Sequence, residues 1–162
     1  MTWAGSAMFN AYVRHCIVGD PVVRATWGSA AASRFFIAAF HSTVTPDRDA
    51  PEAETLYGTG VWTPDQELTG GTWPPGGVEG HVTGTSVAGT GGVALNMPLI
   101  TATSVLIDDL AGDLFYYRNP ANPAGHLHGL GFHDYGGSLD VAGTLTVTWP
   151  YPPGAVCLNY SS

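Results

Sequence analysis

The chain has 162 residues and a net charge of −8, with five basic residues and no lysine. So few basic groups argue against a partner that is nucleic acid or an anionic membrane surface. No apolar run approaches a membrane span and no basic segment follows Met1, so we expect a non-secreted product made in the cytoplasm. The length and the 44% apolar fraction fit one domain, residues 1–162, with a sizeable core.

The first predicted element is an amphipathic helix. Apolar residues recur at helical spacing from Met8 to Ile17, which predicts a helix over about residues 3–18. Thr2 can cap its start, and Gly19 followed by Asp20 and Pro21 ends it. The segment Ala30–Ala32 could add one helical turn, although neighbouring glycine and serine weaken that prediction.

Strand signals dominate the rest of the chain. The apolar run from Arg34 to Ser42 predicts a buried central strand, and an acidic loop follows over 43–54. Strict alternation predicts strands at Leu99–Ile107 and Thr144–Trp149. Further strands are expected at 56–63 and 66–73 as a hairpin, and at 81–87, 93–95, 114–117, 126–135 and 155–160.

Turn signals separate these strands. They lie at Asp108–Gly112, at the Pro/Asn-rich segment Asn119–Gly125 and at Tyr135–Gly137. Many short strands with one helix predict a mainly β domain, a β-sandwich or barrel-like fold of about eight short strands with one N-terminal α-helix.

Three histidines are the candidate metal ligands. His126 and His128 stand at positions i and i+2 of a predicted strand and share one face, whereas His133 faces the other way unless a bulge at Gly129 or Gly131 redirects it. The His-x-His pair invites comparison with the metal site of cupins. The glutamate that cupins require is missing, because Phe132 and His133 occupy its place. We therefore predict no metal and no cofactor, with the histidines at an edge or interface.

Catalytic signatures are not apparent in the sequence. There is no Gly-x-Ser-x-Gly elbow, and a chain without lysine has no P-loop. We predict no catalytic residues and no enzymatic activity. Aromatic residues such as Trp62, Trp73 and Tyr151 could stack on sugars, although core or subunit-contact roles are favoured. Cys16 and Cys157 could pair, but two buried thiols are the favoured interpretation.

Several ordered motifs resemble a family of small bacteriophage and prophage virion structural proteins. They are Thr45-Pro-Asp-Arg-Asp49, Leu68-Thr-Gly-Gly71, and Asp134-Tyr-Gly-Gly137 with the strand Gly143–Trp149, and the best matching segment is 131–149. The chain departs from the family in its proline-rich 119–125 loop, its extra histidines and its Pro150–Gly154 ending.

The resemblance implies a virion component without catalytic residues, made in the host bacterial cytoplasm. A capsid decoration or head accessory protein is expected, which binds the major capsid protein of the outer shell and copies of itself. Analogy with accessory proteins of icosahedral heads favours a trimer. A tail component is the alternative within the class. A small-molecule-, glycan- or metal-binding β-domain is the alternative from a different class.

Overall fold

The computed structural model describes residues 5–18, 34–81, 84–88, 92–96, 100–118, 127–147 and 155–158. Their mainly β content confirms the predicted class. The elements in chain order are β1 (Ala7–Met8), α1 (Asn10–Val18), β2 (Arg34–His41), β3 (Glu67–Leu68), β4 (Val78–His81), β5 (Gly84–Ala88), β6 (Gly92–Asn96), β7 (Ile100–Arg118), β8 (Leu127–Val147) and β9 (Ala155–Leu158).

Some sequence predictions fall outside this part of the chain. They concern the helical turn at Ala30–Ala32, the loop at Asn119–Gly125, and the residues His126 and Tyr151. The side chains of Cys16 and Cys157 are also outside it, so the state of the two thiols stays a prediction.

Antiparallel pairing organises the described strands into two sheets. The larger sheet has the order β1–β8–β7–β2–β3, and β4 also pairs with β2. The smaller sheet has the order β5–β6–β9. The predicted strand at 34–42 is confirmed as β2, which lies between β7 on one side and β3 and β4 on the other. The sandwich or barrel arrangement stays a prediction.

The prediction of short strands is wrong for β7 and β8, which have 19 and 21 residues. The turn signals at 108–112 and 135–137 lie inside these strands, where the register between them shifts at Leu110. Asp109 has a φ of 61°, so it occupies the left-handed region within a strand. Glycine and aspartate favour bulges for the same reason that they favour turns, because both tolerate such backbone angles.

Two further boundaries differ from the sequence prediction. Helix α1 begins at Asn10 rather than near residue 3, because Ala7 and Met8 pair with β8 as strand β1. The predicted hairpin at 56–73 is wrong. The short 3-10 helix Pro64–Gln66 lies in this region, after another at Glu52–Glu54, and β3 pairs with β2. Pro64 fits the first turn of a helix, which outweighs the strand signal around it.

Aromatic side chains fill the core on both faces of the larger sheet. Phe35 stacks on Phe115 with ring centroids 5.2 Å apart, while its neighbour Phe36 stacks on Tyr116 at 5.5 Å. Successive strand residues point to opposite faces, so each face has its own aromatic layer. All eight residues from Leu110 to Tyr117 are buried. The second half of β7 is therefore covered on both sides.

Candidate functional site

The structure separates the candidate metal ligands that it describes. One extra residue of β8 lies between the pairs Phe115–Gly131 and Tyr116–Gly129, so the bulge considered in the sequence is present. It places His128 opposite Tyr117 and His133 opposite Asp113. Positions 113 and 117 share a face but are about 13 Å apart along the strand, too far for the two histidines to share one ion. Within the described residues, no group of three His, Cys, Asp or Glu side chains could hold a metal ion.

His128 instead belongs to a cluster that fastens the acidic loop. Glu52 Oε2 lies 2.9 Å from His15 Nε2, and Glu52 Oε1 lies 4.0 Å from His128 Nδ1. The Asn10 side chain donates to the Asp49 carboxylate, and the Asn10 N–H donates to the Arg48 carbonyl. The loop is therefore tied to α1 and β8, while most of its side chains from 45 to 54 stay exposed.

His133 lies beside a buried carboxylate. Asp113 is 1% exposed and its Oδ2 accepts a 2.5 Å hydrogen bond from the Tyr135 hydroxyl, while His133 Nδ1 lies 3.7 Å away. Burial lowers the pKa of His133, but the carboxylates of Asp113 and Asp134 together raise it more, so the net shift is upward. Burial and the same carboxylate raise the pKa of Tyr135. The three groups tie β7 to β8 next to the bulge.

Asp109 is the centre of a second polar cluster, at the left-handed position in β7. Its carboxylate accepts hydrogen bonds from Ser138 Oγ at 2.5 Å and Ser42 Oγ at 2.8 Å, and it lies 3.3 Å from His41 Nδ1. Hydrogen bonds from Ser138 and Ser42 lower the pKa of Asp109 to about 2. In a nucleophilic triad the histidine lies between serine and aspartate. Here Ser42 donates directly to the carboxylate, so the cluster lacks the relay order of a triad.

A third polar cluster surrounds Glu67. The Tyr57 hydroxyl donates to Glu67 Oε2 at 2.6 Å, and the Gly76 N–H donates to Oε1 at 2.7 Å. Tyr116 stacks on Tyr57 with centroids 4.8 Å apart and donates to the Gly76 carbonyl at 2.6 Å. Burial is the main cause of the raised pKa of Glu67. Its effect is larger than the opposing effect of these hydrogen bonds, which lower the pKa. Because Glu67 is only 9% exposed and both its oxygens are occupied, the cluster serves structure.

Sequence reasoning missed all three carboxylates. The sequence pattern predicts a turn at Asp109 and a hairpin strand at Glu67. Asp113 left the clearest signal, because it interrupts an apolar run from Leu110 to Tyr117. A charged residue within such a run is rarely fully buried without a partner.

The two tryptophans considered for sugar stacking belong to the core. Trp62 is 1% and Trp73 is 2% exposed. Trp62 packs edge-on against Phe40 with centroids 5.1 Å apart and against Phe9 at 6.0 Å. Neither indole is available to a sugar, so the core role favoured by the sequence analysis is confirmed for both.

An open groove of about 600 Å³ lies between β4 and the first half of β7. Its lining combines apolar side chains with threonine hydroxyls and one carboxylate, namely Phe36, Thr72, Pro74, Pro75, Gly77, Val78, Glu79, Thr101, Ala102 and Thr103. Such a volume suits a small molecule.

The chain matches no family model, no curated protein and no solved structure. The resemblance to virion structural proteins therefore remains a hypothesis that rests on the quoted motifs. No helix within the described ranges is long and apolar enough to cross a membrane.

Proposed function

We propose that this protein is a structural component of a bacteriophage virion, a head decoration protein that binds the outer shell. Its partners are the major capsid protein and its own copies, and it acts without catalysis. The best segment of the resemblance, residues 131–149, overlaps most of strand β8, the longest described strand. A tail component is the alternative position for the same kind of protein.

The observation that carries the proposal is the exposed surface of the β7–β8 ribbon. Nine residues between 136 and 146 are exposed, and so are Thr101, Thr103, Ser104 and Leu106 in the facing part of β7. Among residues 100–107 and 136–147 only Asp140 is charged. Leu106 is 64% and Leu139 is 47% exposed. Soluble monomers usually carry more charge on exposed surface, so a ribbon of threonine, glycine and leucine suits burial in an assembly.

A rigid scaffold agrees with the same role. Stacked aromatic residues cover both faces of the central strands, and buried carboxylates fasten β3, β7 and β8 to their neighbours. A shell protein needs such a scaffold to present contact surfaces in fixed positions. A trimer on the shell, proposed by analogy with accessory proteins of icosahedral heads, would bury these surfaces by closed symmetry.

Protein composition of purified particles tests this function. We expect the chain among the polypeptides of density-purified particles, in a fixed ratio to the major capsid protein across preparations. Absence from head and tail fractions alike would refute the proposal.

The groove beside Phe36 favours one candidate from another class, a small-molecule- or glycan-binding domain. Titration of the protein with a panel of mono- and oligosaccharides, followed by the fluorescence of its tryptophans, examines that candidate. Saturable binding that Thr103→Val weakens would support the binding function. No change in fluorescence with any saccharide would argue against it.

A further inference from the structure

The first part of β8 joins the beginning of the chain to the central strands. His133 is the register partner of Asp113 in β7, and Asp113 in turn pairs with Ala39 in β2. On the other side of β8, strand β1 pairs with Gly131 and Phe132. His133 therefore follows directly after the residues that hold β1, and it is also next to the buried acid of β7.

The carboxylate of Asp113 is only partly compensated. Asp113 is 1% exposed, and its Oδ2 accepts the hydrogen bond of Tyr135 at 2.5 Å. Its Oδ1 is buried and accepts no hydrogen bond within the part of the chain that the structure describes. A buried carboxylate is costly unless a cation or further donors lie beside it. His133 Nδ1, 3.7 Å from Oδ2, can supply that charge, because a protonated imidazole is a cation.

The titratable groups around His133 favour its protonated form. They are Asp113 in β7 and, in β8, Asp134 and Tyr135, whose ring lies edge-on at 4.8 Å. Residues 5–9 have no titratable side chain, and the partner of Asp113 in β2 is an alanine. Burial opposes the charge of His133, but the two carboxylates outweigh burial and raise its pKa. The folded chain therefore holds this proton more tightly than the unfolded chain does.

The contact between the beginning of the chain and β8 is small. Strand β1 has only two residues. Beyond it, the Gly5 N–H donates to Asp134 Oδ2 at 2.7 Å, and the Phe9 N–H donates to the Leu130 carbonyl at 3.1 Å. Edge elements with few backbone hydrogen bonds open at a lower free energy than central strands. Loss of the histidine charge would leave the buried carboxylate uncompensated beside this contact, so local opening should begin here.

We propose that His133 and Asp113 form a pH-sensitive clasp, which holds residues 5–9 on β8 while His133 is protonated and loosens them once it is neutral. The free energy of local opening is highest below the ordinary histidine value of 6.5 and falls as pH rises through the raised pKa of His133. The clasp goes beyond the proposed function and does not depend on it, so it can be tested on the purified protein alone.

NMR titration of the histidine side chains tests the charge pair. His133→Asn identifies the His133 signal by its absence from the spectrum. In the wild type we expect this signal to titrate with a midpoint above 6.5. The midpoint should move down in Asp113→Asn, which keeps the shape of the side chain and removes its charge. A midpoint at or below 6.5 in the wild type, or one that Asp113→Asn leaves unchanged, would overturn the proposal.

Hydrogen exchange measures the loosening itself. Protection of the Phe9 amide, corrected for the intrinsic effect of pH on exchange, should fall roughly threefold or more between about pH 6 and about pH 8 in the wild type. It should stay level in His133→Asn. His41→Asn is the matched control and should follow the wild type, because the His41–Asp109 pair is 37% exposed on both sides and screened by water.

Two results of the exchange experiment would contradict the clasp. One is protection of the Phe9 amide that does not change with pH in the wild type. The other is a decrease of the same size in His133→Asn, which would assign the pH dependence to other groups. Both the titration midpoint and the change in protection are read in the wild type, so the proposal can fail even where a variant does not fold.

Discussion

The hydroxyl of Tyr57 donates a 2.6 Å hydrogen bond to the carboxylate of Glu67, which is 9% exposed. This contact joins the loop after the first 3-10 helix to β3. The Gly76 N–H satisfies the other carboxylate oxygen, so three chain segments meet at one acid. Buried charge is tolerated because each oxygen has a donor.

Removal of that donor should destabilise the fold. We expect Tyr57→Phe to lower the free energy of unfolding by about 1.5–3 kcal/mol, since it leaves a buried carboxylate oxygen without its partner. Urea denaturation measures the change. In the double variant with Glu67→Gln the two effects should not add, because both changes act on one hydrogen bond. Additive effects would show that the contact is not formed in solution.

Glu67 should also give the stability a characteristic pH dependence. Its pKa is raised in the folded state, so the folded chain holds this proton more tightly than the unfolded chain does. The free energy of unfolding should therefore fall as pH rises from the ordinary glutamate value, near 4.5, through the raised pKa. Denaturation at a series of pH values should show that Glu67→Gln removes this part of the slope. An unchanged slope in the variant would assign it to other groups.

The aromatic core should depend strongly on Trp62. We expect Trp62→Ala to cost about 3–5 kcal/mol of unfolding free energy, because it leaves a cavity beside Phe9, Phe40 and Phe132. The adjacent Val61 is 39% exposed, and Val61→Ala is the matched control with an effect of about 0.5 kcal/mol or less. Thermal and urea unfolding compare the two variants. Similar losses in both would contradict the placement of Trp62 in the core.

No metal should be needed for the fold. The distance between His128 and His133 along β8 and the lack of a cupin-type glutamate both motivate this expectation. Chelator-treated protein should contain well below one zinc, nickel or iron per chain by elemental analysis, with an unchanged melting temperature. Near one metal per chain that His128→Ala removes would prove the prediction wrong.

Local patterns predicted the class of the fold better than its connections. The apolar run at 34–41 and the alternation at 100–107 lie in strands of the structure, because burial on one or both faces leaves a direct trace in sequence. The prediction of turns at Asp108–Gly112 and Tyr135–Gly137 is wrong, because a bulge within a long strand uses the same residue types as a turn.

The polar clusters could not be predicted from spacing. Asp109 and Ser138 are brought together by the register shift between β7 and β8. Tyr57 reaches Glu67 across a segment that contains the 3-10 helix Pro64–Gln66. Such contacts join residues that are not related by a helix or strand period, so no periodic pattern in the sequence indicates them. Asp113 is the exception, since a lone acid in an apolar run indicates a buried partner.

Imaging of purified particles tests the central claim most directly. We predict density for this chain on the outer surface of the head, in a fixed position relative to the major capsid protein, with the long β7–β8 ribbon at a contact. Density in the tail would support a virion protein but would identify it as a tail component rather than a head decoration protein. Particles in which neither head nor tail contains this chain would contradict the account.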